Sequence, residues 1–273
     1  MKKILLACDG KDFPKGAFEF AKDLHQQEPI LLTGAFLHVL NFDELLPVSF
    51  AITGGPIASF LEEEKEAYKK NTEMFETLCV KEGIEFRLHE ESQSWNIEDF
   101  AKESRFSDLV MMSEELFCSV INSSEPNGFM QQVIHRSECP VMLFPEKYKP
   151  FKKIVIAYDG KQDSMYALKQ FIQLFPQYSE METKIVYIKD ETSDDIPDLE
   201  YLEEYAARHF SNLDIEKLHF NGRKYFETWI SGQGDILVVA GSYSRGGFAN
   251  SLKKSFSEDI IQNHRVPVFA AHR

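Results

Sequence analysis

The chain has 273 residues, 43% hydrophobic and 27% charged, a balance that lets one or two ordinary domains each bury a core. Its formal net charge of −14 argues against broad contact with a phosphate backbone, which needs clustered Lys and Arg, so no nucleic-acid partner is expected. One small anionic ligand held by local backbone groups is not excluded. The apolar run that opens the sequence meets Asp9 too soon for a signal-peptide core, and no run reaches membrane-spanning length. The expectation is a cytoplasmic protein with no membrane partner.

In chain order, 2–11 (Lys-Lys-Ile-Leu-Leu-Ala-Cys-Asp-Gly-Lys) reads as a first strand and its turn. The stretch around 41–56, with Pro47 and Gly54-Gly55-Pro56, reads as an inserted loop, unusually apolar through Leu45, Leu46, Val48, Phe50 and Ile52 and followed at once by Ile57. Its two readings are packing over its own domain and a cover for a pocket or a partner surface. Helical spacing follows over 59–82. A fourth strand starts at Asp108-Leu109-Val110, and a last one runs over 139–144. Lys147-Tyr148-Lys149-Pro150 is a brief polar linker. Beyond it, strands are expected near 153–158, 183–188, 214–220, 235–240 and 267–271, with helices over 164–175, 198–211, 222–231 and 250–263.

The two halves repeat each other. Residues 2–11 return at 152–161, an offset of 150, and 108–112 return at 235–239, an offset of 127. The same 127 pairs Cys139-Pro140-Val141 with Val266-Pro267-Val268, which implies an ungapped step between these blocks and about 23 extra residues in the first copy. Continuous apolar runs such as Ile236-Leu237-Val238-Val239 suit parallel strands covered on both faces. Strands alternating with helices predict an α/β fold of two tandem Rossmann-like domains, 1–146 and 151–273, each a doubly wound five-stranded parallel sheet. The matching terminal strands are apolar, and leaving either unpaired invites aggregation. They are expected to pair within the chain, leaving other edges to support a homodimer.

In such sheets ligands bind beyond the carboxyl ends of the strands, where the strand order reverses. With order 3-2-1-4-5, the crevice of the second copy lies between Asp159, after strand one, and the turn from Gly241 to Phe248, after strand four. Glycines there allow backbone N–H groups to approach phosphate oxygens, and Ser255 and Ser257 add hydroxyl donors in the helix beyond. The plainer reading is a Gly-rich strand-to-helix turn with capping serines and an Asp that closes its own turn.

These residues resemble the universal stress protein family, the second copy more closely than the first. The family opens with a strand followed by Asp-Gly, as Ile154 to Gly160 does here. Its later signature is Gly, two residues, Gly, nine residues, Gly, then Ser or Thr; on this chain those positions are Gly241, Ser244, Lys254 and Ser255. Arg245, Gly247, Ser257 and the closing Val266-Pro267-Val268 also look like the family. The resemblance implies that members with the full signature bind ATP, with Asp159 near the adenine and Gly241 to Ser244 and Ser255 around ribose and phosphates. Two of the three glycines are replaced here. Ser244 and Lys254 add side chains where close backbone approach is wanted, while the Lys254 ammonium attracts phosphate. Weak adenine-nucleotide binding confined to the second copy is the expectation. In the first copy the ungapped offset sets Glu114, Phe117, Asn127 and Gly128 against those four positions, and no ATP is expected there.

Other chemistry lacks a pattern. Cys8, Cys79, Cys118 and Cys139 form no CxxC pair and read as reduced thiols, so no metal site is expected. The eight histidines show no HExxH spacing and read as surface or structural residues. Gly232-Gln233-Gly234 precedes a strand instead of following one, so it is no dinucleotide fingerprint. No catalyst is indicated. The functional expectation is a stress-response regulatory protein with a degenerate nucleotide site; the alternative is an interaction module of the same kind that binds no nucleotide and acts on an unidentified protein partner.

Overall fold

The computed structural model describes residues 1–9, 12–37, 56–89, 97–113, 135–188, 195–218, 229–230, 232–241 and 266–272. The first half contains β1 (Lys2–Asp9), α1 (Lys15–Gln27), β2 (Ile30–Leu37), α2 (Pro56–Glu82), β3 (Glu85–His89), α3 (Ile97–Arg105), β4 (Leu109–Ser113) and β5 (Val141–Phe144). The second contains β6 (Lys153–Tyr158), α4 (Gln162–Leu174), a short 3-10 turn, β7 (Glu182–Ile188), α5 (Leu199–Ala206), β8 (Leu213–Leu218), β9 (Ile236–Gly241) and β10 (Val268–Ala271). The expected helix over 59–82 starts earlier, at Pro56, because a proline at the first helical position loses no hydrogen bond and its φ is already helical. The rest of the apolar insertion, and the helices expected over 250–263 and most of 222–231, lie outside the described residues.

The ten strands among the described residues form one sheet, ordered β3-β2-β1-β4-β5-β10-β9-β6-β7-β8. Within each half the pairing is parallel and follows the expected 3-2-1-4-5 order. The terminal strands pair within the chain as expected, β5 and β10 antiparallel with Phe269 opposite Met142, and this pairing merges the two expected five-stranded sheets into one continuous sheet. The pairing gives both terminal strands a hydrogen-bonded neighbour on each side, so neither is an open edge.

Alternate residues feed two layers, as the period of a strand requires. Ile4, Leu6, Ile154 and Ile156 face the layer of α1, α2, α4 and α5; Leu5, Ala7, Val155 and Ala157 face the layer containing Phe100 of α3. The first layer crosses from one half to the other through aromatic rings. Phe20 of α1 lies 6.2 Å from Phe151 and 6.0 Å from Phe175, and within the second half Phe269 of β10 extends the layer, 5.4 Å from Phe171. Tyr148, in the expected polar linker, packs 5.9 Å from Phe20 and 5.7 Å from Phe144. Phe20 is thus the ring through which the aromatic packing passes from the first half to the second. Cys8 and Cys79 are buried thiols outside any disulfide and Cys139 is half-buried; burial pushes Cys79 and Cys139 up to about 12.

Register corrects the internal alignment by one residue. Ile4 and Ile154 start equivalent strands and face the same layer; Ile4 pairs with Leu109, Ile154 with Leu237. Leu109 therefore matches Leu237, whereas the constant offset would match it to Ile236, which faces the opposite layer. At the next strand Val141 matches Val268, as expected. The step from fourth to fifth strand is not ungapped.

Candidate functional site

β6 and β9 are neighbours, but the chain leaves them in opposite directions: from β6 toward β7, from β9 toward β10. Their carboxyl ends make the topological switch point of the second half. Asp159 follows β6, and its Oδ1 accepts the Lys161 backbone N–H at 3.0 Å while the Lys161 ammonium lies 3.6 Å from Oδ2. Gly160 takes φ +75°, a conformation that side chains resist, and a Cβ there would lie 3.0 Å from the Pro197 ring. The turn is thereby drawn close to the segment that leads into α5.

That closeness shapes an open cleft of about 420 Å³ between the first turns of α4 and α5. Tyr158, Lys161, Gln162, Met165, Tyr201 and Leu202 line it, with Gly160 and Asp198. The volume is within the range of small-molecule pockets, while the walls mix polar and apolar groups in nearly equal measure. The Tyr158 hydroxyl donates to the Pro197 carbonyl at 3.0 Å. Burial, reinforced by Asp198 and Asp159, pushes that phenol upward, so it stays protonated near neutral pH. Tyr201 is largely exposed at the rim, and Asp198 begins α5 in the left-handed region at φ 53°.

Gly241 ends β9. A Cβ there would lie 2.6 Å from the backbone carbon of Asp163 and 2.6 Å from the backbone nitrogen of Ser164, so β9 and the first turn of α4 meet through the missing side chain. Gly241 also pairs with Ala271 of β10. His272, the next residue, stacks on His135 of the first half, the rings 5.9 Å apart and inclined by 9°. Burial holds His272 below the ordinary imidazole value and His135 adds to this; a hydrogen bond to the backbone of His135 and the charge of Asp163 act the other way.

Of the residues singled out in the sequence, Asp159 and Gly241 flank this crevice. Ser244, Arg245, Gly247, Lys254, Ser255 and Ser257 lie outside the described residues. In the first half the register sets Ser113, not Glu114, against Gly241, so the acidic residue assigned to that position belongs one place later. Phe117, Asn127 and Gly128 lie outside the described residues. Sequence reading did not find Tyr158, Met165 or Tyr201, whose convergence depends on where α5 packs; the apolar spacing of Tyr201, Leu202 and Tyr205 marks only a helix. It also treated the histidines as scattered, because nothing local links His135 to His272. Among the described residues, no helix is long and apolar enough to cross a membrane.

No protein-family model matches the chain, and no curated protein matches it. Solved structures do. A universal stress protein from Archaeoglobus fulgidus matches over 100% of this chain and 96% of its own, at 16% identity and a TM-score of 0.70. A putative universal stress protein from Pseudomonas aeruginosa matches over 100% of this chain and 93% of its own, at 13% identity and a TM-score of 0.53. A protein of unknown function from Pseudomonas aeruginosa gives 12% identity and a TM-score of 0.53, over 100% and 92% of the two chains. The chain has the fold of these proteins along its whole length.

Proposed function

We propose that this chain is a universal stress protein-like regulatory protein of the stress response, in tandem form, with a degenerate adenine-nucleotide site in its second half. The observation that carries the reading is the whole-chain likeness in fold to universal stress proteins. The switch-point crevice between β6 and β9 and the partial signature that begins at Gly241 agree with it. In this reading the base lies in the cleft lined by Tyr158, Met165 and Tyr201, beside Asp159. The phosphates lie over the turn after β9, near Ser244, Arg245, Gly247, Lys254, Ser255 and Ser257. ATP is held weakly, since Ser244 and Lys254 must move aside before phosphate meets backbone; each displacement of about 1.4 kcal/mol weakens binding roughly tenfold. Lys254 offsets part of this by Coulomb attraction. The chain acts by being occupied or empty, as a regulator and not as a catalyst.

A second reading, an interaction module without nucleotide, draws on two contacts. The carboxylate of Asp159 is engaged by its own turn, and the lack of a side chain at Gly241 is accounted for by α4. Calorimetric titration of the full chain with ATP separates the readings. The first expects a single weak site that weakens about tenfold or more in Lys254→Glu. No heat of binding, or equal binding by wild type and Lys254→Glu, supports the second. Gly241→Val is a poor probe, because its side chain would collide with the α4 backbone whether or not a ligand binds.

A further inference from the structure

The antiparallel pairing of β5 with β10 brings the start of one strand to the end of the other: Val141 lies opposite Ala270. His135, shortly before β5, and His272, directly after β10, therefore meet although they belong to different halves, with nearly parallel rings 5.9 Å apart. Their position is specific. Ala271 is paired with Gly241, and Gly241 touches Asp163 and Ser164 at the start of α4. The histidines thus stand at the carboxyl edge of the second half, beside Gly241, where the signature assigned to phosphates begins.

We propose that His135 and His272 form an anion-binding element for the phosphate groups of the second half's ligand, so that a side chain of the first half completes the site of the second. The inference rests on the nucleotide reading above and adds a proton to it. Imidazolium N–H groups are strong donors to phosphate oxygens, and histidine changes charge near neutral pH. Among the described residues, the titratable groups that act on His272 are His135 and Asp163 of α4. With no anion present, burial and the neighbouring ring disfavour charge on His272, and only Asp163 and the bond to the His135 backbone favour it. A bound phosphate reverses that balance, so binding takes up a proton and tightens as pH falls. The Asp163 carboxylate repels phosphate in either state of His272, so it weakens binding without adding to the proton uptake. A metal ion is the less favoured occupant, since no three His, Cys, Asp or Glu among the described residues are grouped to hold one.

The test follows the His272 imidazole resonance of the full chain across pH, with inorganic phosphate and with chloride at matched ionic strength. ATP affinity is then measured at about pH 6 and about pH 8 in wild type, His135→Gln and His272→Gln. Phosphate is expected to raise the His272 midpoint by about one pH unit. ATP is expected to bind about tenfold tighter at the lower pH in wild type, with the ratio close to that of free solution in either variant. A midpoint unmoved by phosphate overturns the inference whether or not ATP binds, including the case where zinc moves it instead. ATP binding with the same pH response in wild type and variants overturns it too, and leaves the nucleotide reading standing. A midpoint raised by phosphate, with no ATP binding at all, upholds the histidine element and removes the nucleotide reading.

Discussion

A Cβ at Gly241 would sit 2.6 Å from backbone atoms of Asp163 and Ser164, and neither helix backbone nor strand end can yield by a rotamer change. Gly241→Ala is therefore expected to destabilise the chain by about 1–3 kcal/mol, read as a lower urea midpoint with unchanged slope. An alanine variant as stable as wild type would show that β9 and α4 are not packed this closely. The glycine was legible in the sequence, but as the start of a phosphate turn; its contact with α4 depends on two segments far apart in the chain. His272 gives a second residue-level outcome. Its imidazole is held below the ordinary value of 6.5, so the neutral form is the one the fold favours. That stabilisation is complete above the unfolded value and is lost as pH falls below 6.5 through the folded one. Thermal melts from neutral pH downward should thus show a loss of stability that is shallower in His272→Gln; identical acid limbs would contradict it.

Strand positions in the second half were legible to within a residue or two because apolar runs bounded by turns carry that signal unaided. The register between copies was not. Asp108 and Asp235 look equivalent in sequence, each just ahead of an apolar run. In the structure the Lys3 backbone N–H donates to the Asp108 side chain, and the Asp108 N–H to the Lys3 carbonyl, whereas Lys152 N–H donates to the Asp235 carbonyl. Two aspartates tie the same pair of strands together from positions one residue apart, and only the inward or outward face of each strand residue exposes the slip. α2 gives another contrast. It has 27 residues against 8 in α5, its counterpart, so the added length of the first copy is partly helix where loop alone was expected. Composition marked the Pro and Gly punctuation correctly as a break, but a proline opens a helix as readily as it ends one. The turn after Gly241 and the helix expected beyond it have only their sequence to speak for them, and six of the eight proposed ligand residues belong to those two segments.

At the scale of the whole molecule, one sheet and one aromatic layer run through both copies. The duplication was plain in the sequence, and the apolar terminal strands pointed to the β5 to β10 pairing; the packing of Phe20 on Phe151 and Phe175 was not legible, because it is a contact between copies. Such a molecule should unfold as a unit. Trp95 and Trp229 report on separate halves. Urea transitions of Trp95→Phe and Trp229→Phe, each followed by the remaining indole, are expected to coincide with the loss of far-ultraviolet dichroism after allowance for each variant's own stability. A first half that melts while the second stays folded would contradict the shared core. Function is argued at this scale too, since the likeness in fold spans the chain while the ligand is assigned to only one copy. The most direct test is to photo-crosslink an azido-adenine analogue of ATP to the full chain and map the labelled peptides, with unlabelled ATP as competitor. The account predicts label that ATP displaces, carried by the second half on the peptides containing Tyr158 or Tyr201; label confined to residues 1–146, or label that ATP does not displace, would contradict it.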